Sequence, residues 1–125
     1  MVDSKKARKQ RKALYNAPLH VRSSMICSHL DDPLRKEYAQ RAVRVVKGDT
    51  VKVMRGDEDI LGLEGKVQEV DTKSGRIVVE GVTIAKADGT QTARPVHASK
   101  VMITKLDLSD PRRKDKLSKA KEVSQ

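Results

Sequence analysis

The side chains of this chain that are best suited to do chemistry are its cations, and the chemistry they offer is the binding of anions. Lys and Arg number 27 against 17 Asp and Glu, which gives a formal net charge of +10. Six of these cations fall in the eight positions from Lys5 to Lys12. This excess predicts a polyanionic partner, with nucleic acid ahead of a membrane surface; a basic protein that is merely soluble is the plainer alternative.

Metal binding and catalysis find little support in the residue types and their spacing. His20, Cys27 and His29 offer three ligands seven and two positions apart, whereas a closed structural zinc site needs four, so we expect no metal. Asp57-Glu58-Asp59 lies on a predicted loop without an acid–base partner, which indicates an exposed acidic loop. The sequence contains no Walker-type phosphate loop and no nucleophile elbow. We expect no enzyme, no cofactor and no small-molecule substrate.

The aromatic residues narrow the kind of nucleic acid that this chain could bind. There are two tyrosines, Tyr15 and Tyr38, and neither Phe nor Trp. Recognition of single-stranded RNA by stacking, methyl-lysine cages and grooves for proline-rich ligands all require aromatic side chains on the binding surface. The mode of binding that does not need aromatic side chains is recognition of structured RNA through its backbone and shape, and the sequence favours this mode. Tyr15 has two open interpretations, stacking on a base or packing against residues 14–19.

The elements that must carry these cations are mostly short strands. Val51 and Val53 alternate with polar neighbours, which is the period-two pattern of a strand with one buried face. Gly65 indicates a close backbone approach or a bulge. Asp71–Gly75 is typical of a turn, and Asp88-Gly89 predicts a hairpin with a type I′ turn. Five or six short strands in about 60 residues indicate a small barrel. The predicted strands cover residues 50–54, 66–70, 76–80, 82–86, 91–94 and 101–104.

The two ends of the chain are predicted to be basic and partly helical. Repulsion within Lys5–Lys12 favours disorder or a frayed helix in isolation. The apolar spacing over Pro18–Leu30 is roughly helical, and Asp31-Asp32-Pro33 is a start signal for a short helix over residues 34–40. Ser109-Asp110-Pro111 repeats that signal for a helix to about residue 119, followed by a tail. We therefore divide the chain into an extension (1–44), a barrel (45–106) and a C-terminal tail (107–125).

The charge follows this division. Residues 1–44 hold 11 Lys and Arg against 4 Asp and Glu, a net +7. Residues 45–104 hold 9 of each and are neutral, and residues 105–125 hold 7 against 4, a net +3. A neutral barrel between basic ends predicts a body docked within RNA, with its two arms running along the phosphates. No apolar run is long enough to span a membrane, and the N-terminus lacks the apolar core of a signal peptide. Cys27, as the single cysteine, cannot form an internal disulfide, which fits a reducing cytosol.

Two segments, Lys47–Gly56 and Gly62–Val67, resemble the KOW motif, a strand–loop–strand unit with a central glycine found in small RNA-binding barrels. With the flanks Asn16–Arg22, Gly81–Thr90 and His97–Arg113, the chain resembles the archaeal and eukaryotic branch of the universal large-subunit ribosomal protein family L-twenty-four. The resemblance implies a mainly β fold, a small SH3-like β-barrel with short N-terminal helices and a basic C-terminal tail. It also implies a structural component of the large ribosomal subunit in the cytoplasm.

The family further implies binding to large-subunit rRNA near its 5′ end, nucleation of subunit assembly, contacts with neighbouring ribosomal proteins and a position near the mouth of the peptide exit tunnel. The alternative is a KOW-type transcription elongation or antitermination factor. Such factors carry an α/β domain before the motif, and residues 1–44 are too short and too basic for one. The chain departs from the family at Asp57–Leu61, where the loop is longer and acidic and Leu61 replaces a usual lysine. We expect this tip to face solvent, a basic neighbouring protein or a bound cation.

The candidate rRNA contacts are the cations of both arms and of the barrel, with two histidines from family-like segments. Lys52 and Lys66 alternate with apolar residues and should point outward, where phosphate contact and simple solvation both fit. His20 and His97 have packing as an equal alternative. The full set is Lys5, Lys6, Arg8, Lys9, Arg11, Lys12, His20, Arg22, Lys47, Lys52, Arg55, Lys66, Arg76, Arg94, His97, Lys100, Arg112 and Arg113.

Overall fold

The structure is a computed structural model that describes residues 3–124, so Met1, Val2 and Gln125 of the predicted arms lie outside it. Its helices are α1 (Ala7–Asn16), α2 (Leu19–Ser24), α3 (Asp32–Tyr38) and α4 (Pro111–Ser124), with a 3-10 helix at Ala98–Lys100. Its strands are β1 (Cys27–Leu30), β2 (Ala42–Arg44), β3 (Thr50–Val53), β4 (Glu64–Asp71), β5 (Arg76–Val79), β6 (Thr83–Ala85), β7 (Gln91–Ala93), β8 (Val96–His97) and β9 (Val101–Lys105).

Seven of the strands form one sheet in the order β2-β1-β9-β3-β4-β5-β8, and β6 and β7 form a separate hairpin. The pairings are antiparallel except between β1 and β9, which run parallel. The expected mainly β, small barrel-like fold with short helices is confirmed. All six predicted strands are present within two residues of their predicted ends, because each carries its own local pattern.

The core is aliphatic and follows the strand alternation. Val51 and Val53 on β3 have no exposed surface, and neither does Ile103 on the neighbouring β9. The intervening Lys52 is half-buried on the outer face. From the loop between β3 and β4, Ile60 enters the core with 4% of its surface exposed. The period-two prediction for these strands is therefore confirmed at the level of single side chains.

The helical interpretation of residues 18–30 is wrong for its second half. The helix α2 ends at Ser24, and β1 follows, with Ser28 and Leu30 fully buried. The Ser28 hydroxyl donates to the Ala98 carbonyl oxygen at 2.6 Å, which satisfies the buried polar group. Pairing with β2 and β9 decides the conformation here, since a segment of four residues has too little helical preference to resist it.

Gly65 has the close backbone approach that the sequence predicted. A Cβ atom at this position would lie 2.2 Å from the carbonyl oxygen of Glu80 and 3.2 Å from Val79 Cγ1. The neighbouring Lys66 carbonyl accepts a hydrogen bond from the Glu80 N–H at 2.9 Å. A side chain at position 65 would therefore push β4 away from the end of β5.

The hairpin at Asp88-Gly89 is confirmed, but its turn type is not the predicted one. Gly89 has φ of +93°, whereas Ala39 is the one non-glycine residue in 3–124 with positive φ, so Asp88 does not meet the requirement of a type I′ turn. The Gly89 N–H donates to the Lys86 carbonyl at 2.9 Å, and the Asp88 carboxylate accepts from the Thr90 N–H at 3.0 Å. A single left-handed glycine is enough to close this five-residue connection.

Both helix-start predictions are confirmed, and one helix end is not. The Asp31 carboxylate accepts from the Asp32 N–H at 2.9 Å to cap α3, and the Asp110 carboxylate accepts from the Arg112 N–H at 3.0 Å beside the start of α4. The predicted tail after residue 119 is instead helical to Ser124, in a segment rich in the good helix formers Lys, Ala and Glu. No helix within the described part combines the length and apolarity that a bilayer crossing requires.

Candidate nucleic-acid interface

The N-terminal cations form the most accessible charged element. Arg8, Lys9, Arg11 and Lys12 lie on α1, Lys5 and Lys6 immediately precede it, and all six are exposed. The helix α1 buries none of its residues against the rest of the protein. Its charge is therefore available to a partner from several sides.

A second group of cations lies on the outer face of the sheet. Lys66 on β4 is opposite Thr50, and Thr50 is opposite Lys105 on β9, which places two exposed lysines on either side of β3. Lys52 is opposite Glu64 on β4, and Glu64 accepts a hydrogen bond from the Thr104 hydroxyl at 2.8 Å. The predicted outward direction of Lys66 is confirmed by its exposure, and Lys105 joins the group although the sequence did not single it out.

A third group surrounds the acidic loop. The backbone N–H groups of Met54 and Arg55 both donate to the Lys100 carbonyl, at 2.8 and 3.2 Å, which brings Arg55 and Lys100 together. Arg94 Nη2 lies 2.5 Å from Asp57 Oδ2. The Arg94 hydrogen bond and charge, with a smaller contribution from Lys100, hold the pKa of the Asp57 carboxyl below its usual range.

The loop tip itself is exposed, as expected, at Asp57, Glu58 and Asp59. The side chain that neutralises Asp57 is Arg94 of the same chain, which was not among the partners that we anticipated. The pair is formed by residues 37 positions apart, so the local sequence around the loop could not identify it. Arg94 consequently has only part of its hydrogen-bonding capacity left for RNA.

Arg113 has an internal role. Its Nη1 and Nη2 donate to the two oxygens of Asp49 at 2.6 and 2.8 Å, and they also donate to the carbonyls of Asp107 and Arg44 at 2.8 and 3.0 Å. Asp49 has no exposed surface, and the Arg113 side chain is 10% exposed. Asp49 also accepts from the N–H groups of Val46 and Asp107, at 3.1 and 2.9 Å. This bidentate pair attaches α4 to the turn before β3.

Arg22 is likewise engaged inside the protein. Its Nε donates to the Ala17 carbonyl at 3.0 Å, its Nη1 to the Lys73 carbonyl at 2.9 Å, and its Nη2 to the Tyr15 carbonyl. One guanidinium thus joins the end of α1, the link to α2 and the turn between β4 and β5. Three side-chain nitrogens in internal bonds leave Arg22 poorly suited to a phosphate contact.

A basic cleft of about 440 Å³ lies between β2 and α4. Arg44, Arg112 and Lys116 line it, together with Asp110 and the internal Arg113. Arg112 and Lys116 share a face because they are four residues apart on one helix. Of this group we predicted Arg112 and Arg113 from the sequence and missed Lys116, which its helical spacing of four residues from Arg112 could have identified. Lys47, on the turn before β3, is exposed as well.

Arg76 and His97 are neighbours across β5 and β8, and Arg76 is opposite Asp71 on β4. The Nδ1 atom of His97 accepts from the Ser99 N–H at 3.2 Å and contacts the Ser99 hydroxyl at 2.8 Å, which caps the 3-10 helix. His20 on α2 is exposed. The two histidines therefore differ: His97 has a structural bond at one ring nitrogen, whereas the described contacts of His20 are made by its backbone.

The residues weighed as metal ligands are used in other ways. His29 Nδ1 is 3.2 Å from Arg35 Nη2, and the Cys27 thiol donates to the Ser24 carbonyl at 3.1 Å. Within residues 3–124, no three His, Cys, Asp or Glu side chains are grouped so that they could hold a metal ion. The arrangement of the site offers hydrogen-bond donors and positive charge, which suit phosphate oxygens.

The comparisons with known proteins agree with this chemistry. Residues 4–120 match the family of ribosomal proteins described as L26 in eukaryotes and L24 in archaea. The chain is 54% identical over 118 residues to large ribosomal subunit protein uL24 of Saccharolobus solfataricus, covering 94% of this chain and 98% of that one. It is 57% identical over 113 residues to the Methanocella arvoryzae uL24, covering 90% and 89%, and 55% identical over 117 residues to that of Methanospirillum hungatei, covering 94% and 96%. The chain belongs to this family of eukaryotic L26 and archaeal L24 ribosomal proteins, as its sequence motifs indicated.

Proposed function

We propose that this chain is a structural constituent of the large ribosomal subunit in the cytoplasm, and that it binds large-subunit rRNA near its 5′ end. The observation that carries the proposal is the likeness, over nearly the whole chain, to proteins named large ribosomal subunit protein uL24. The exposed cations of α1, of the outer sheet face and of the cleft between β2 and α4 supply a matching surface for phosphates.

Nucleation of subunit assembly, a position near the mouth of the peptide exit tunnel and contacts with neighbouring ribosomal proteins are further parts of this proposal. They follow from the family, and the charge arrangement is compatible with them. Of the predicted contacts, we retain the exposed cations as the phosphate-binding set. We assign Arg22 and Arg113 to internal positioning, because their guanidinium groups already bond to backbone and to Asp49. No catalytic activity and no cofactor form part of the proposal.

The alternative of a transcription elongation or antitermination factor finds no support in the comparisons, since the relatives are ribosomal proteins matched over about nine-tenths of the chain. Fractionation of cells that express the tagged full chain separates the two functions. We expect the chain to sediment with large subunits and to stay with them after a high-salt wash. A chain that is instead recovered with RNA polymerase, and not with subunits, would overturn the proposal.

A further inference from the structure

A cleft of about 310 Å³ lies between the end of α1 and the turn that joins β4 to β5. Leu14, Tyr15 and Met25 line its helical side, and Lys73, Gly75 and His97 line the opposite side. Its volume is at the lower end of the range for small-ligand sites, about 300–1,000 Å³. The cleft therefore suits one small group rather than an extended strand.

The two walls of this cleft are held together by Arg22. Its guanidinium bonds to the carbonyls of Tyr15 and Ala17 on one side and of Lys73 on the other. The turn is further fixed by Asp71, whose carboxylate accepts from the Lys73 N–H at 3.0 Å and the Ser74 hydroxyl at 2.9 Å. The walls are consequently arranged before any ligand arrives, which reduces the entropy lost on binding.

The helical wall carries an aromatic ring that the protein itself does not cover. Tyr15 has 71% of its surface exposed, and the adjacent Leu14 and Met25 are 50% and 42% exposed. The other tyrosine of the chain, Tyr38, is half-buried on α3. The alternative role of Tyr15, packing within its own segment, does not fit this exposure.

The opposite wall carries donors and positive charge. Because His97 Nδ1 accepts from the Ser99 N–H, its Nε2 bears the proton in the neutral ring and is a donor beside Gly75. Lys73 lies on the turn, and Arg76 is the strand neighbour of His97. Asp71, which is opposite Arg76 on β4, uses its carboxylate oxygens for hydrogen bonds within its own turn. An aromatic ring on one wall, with His97 and Lys73 on the other and Arg76 beside His97, is an arrangement that suits a base and its phosphate.

We propose that this cleft holds a single unpaired nucleotide of RNA, with its base stacked on Tyr15 and its phosphate near Lys73 and Arg76. The inference rests on the proposed function, because it assumes that the surface as a whole binds RNA. It adds a specific site in which a base is contacted, beside the general recognition of phosphates by the arms.

Two RNA hairpins with the same stem length and the same closing loop test this site, one with a fully paired stem and one with a single bulged adenosine in the stem. The full chain is used as a Tyr38→Phe variant, so that Tyr15 is its one intrinsic fluorophore, since the sequence contains no Trp. We expect the bulged hairpin to bind more tightly and to quench Tyr15 fluorescence more than the paired hairpin does. Removing the ring with Tyr15→Leu should lower affinity for the bulged hairpin by roughly 5- to 150-fold, the value of one base stack.

Two matched variants make the result decisive. Tyr15→Phe keeps the ring and should keep the preference for the bulge. Lys116→Gln changes a residue that lines the cleft between β2 and α4 and not this one, and it should lower affinity for both hairpins to the same extent. Equal binding of the two hairpins, unaffected by Tyr15→Leu, would overturn the nucleotide site and leave the proposed function intact. Failure of the chain to bind either hairpin would overturn both.

Discussion

At the scale of single residues, the most consequential arrangement is the buried pair between Asp49 and Arg113. Asp49 lies in the turn that opens the segment resembling the KOW motif, and it accepts four hydrogen bonds, two from Arg113 and two from backbone N–H groups. A buried ion pair adds little net stability compared with apolar residues, but breaking it leaves one charge uncompensated. The pair therefore specifies where α4 attaches, and its loss should be costly.

This gives a prediction for Arg113→Ala. We expect the free energy of unfolding to fall by about 3–5 kcal/mol, because the Asp49 carboxylate would be buried without its counter-charge. Arg112→Ala is the matched control, one position away on the same helix and exposed, and should change stability by no more than about 0.5 kcal/mol. Urea unfolding followed by circular dichroism measures both variants. Equal midpoints for the two would mean that the pair does not hold α4.

At the scale of elements, α1 buries no side chain, whereas six strands of the main sheet, β1, β3, β4, β5, β8 and β9, each bury at least one. The side chains of α1 are largely charged and do not pack against the rest of the protein, so tertiary contacts contribute little to the stability of this helix. An element of this kind is suited to contact a partner whose surface it follows. The six cations from Lys5 to Lys12 are then the residues whose removal should affect binding without affecting the core.

Replacing these six cations by Gln tests the element without removing helix-forming residues. If all six contact phosphates, the slope of log affinity against log salt for a double-stranded RNA hairpin should fall by about four to five units, at roughly 0.7–0.9 per contact. The unfolding midpoint should not fall below that of the unmodified chain, because none of the six is buried. A comparison variant replaces Lys114, Lys119 and Lys121 on α4 by Gln, and it removes three exposed charges instead of six. A slope that the sixfold replacement leaves unchanged would show that α1 does not contact the phosphates.

At the scale of the whole molecule, a small aliphatic core supports a surface with a large excess of positive charge. The core contains Val, Ile, Leu and Ala and no aromatic ring among the described residues, and the net charge of +10 opposes compaction. A chain of this size has a thin margin of stability in isolation. Binding to a polyanion would relieve the repulsion and stabilise the folded state by mass action.

The hydrogen-bonded Asp carboxylates predict how the stability of the folded chain depends on pH. Four aspartates have pKa values below the ordinary 3.8 because each carboxylate accepts hydrogen bonds. The donors are Arg94 for Asp57, Ser74 for Asp71, Thr90 for Asp88 and Ser109 for Asp107. Because the folded-state pKa values are lowered, the unfolded chain binds more protons near and below pH 3.8, so stability falls as pH falls. We expect unfolding midpoints to be level from neutral pH to about 5 and to decline below that. Midpoints that rise between pH 5 and pH 3 would contradict this account.

Much of the fold and part of the interface followed from local features of the sequence. Alternation at Val51 and Val53, the glycine at position 65 and the Asp–Pro helix starts each specify backbone conformation within a few residues, since side-chain period, φ preference and capping are short-range properties. The charge of α1 and the outward direction of Lys66 could be predicted for the same reason. Membership of the family could also be recognised from the sequence, because the family's motifs are local stretches spread along the chain.

Tertiary structure alone decided which distant residues meet. The strand β1 exists because β9 pairs with it, and Arg113, which the sequence presented as an RNA contact, meets Asp49 across 64 positions. Arg94 likewise pairs with Asp57 of the acidic loop, and Arg22 joins the N-terminal helices to the turn after β4. An arginine has the same charge and reach whether it faces phosphate or an internal carboxylate. Only the folded chain determines which acceptor lies within hydrogen-bonding distance, and hence which cations remain for RNA.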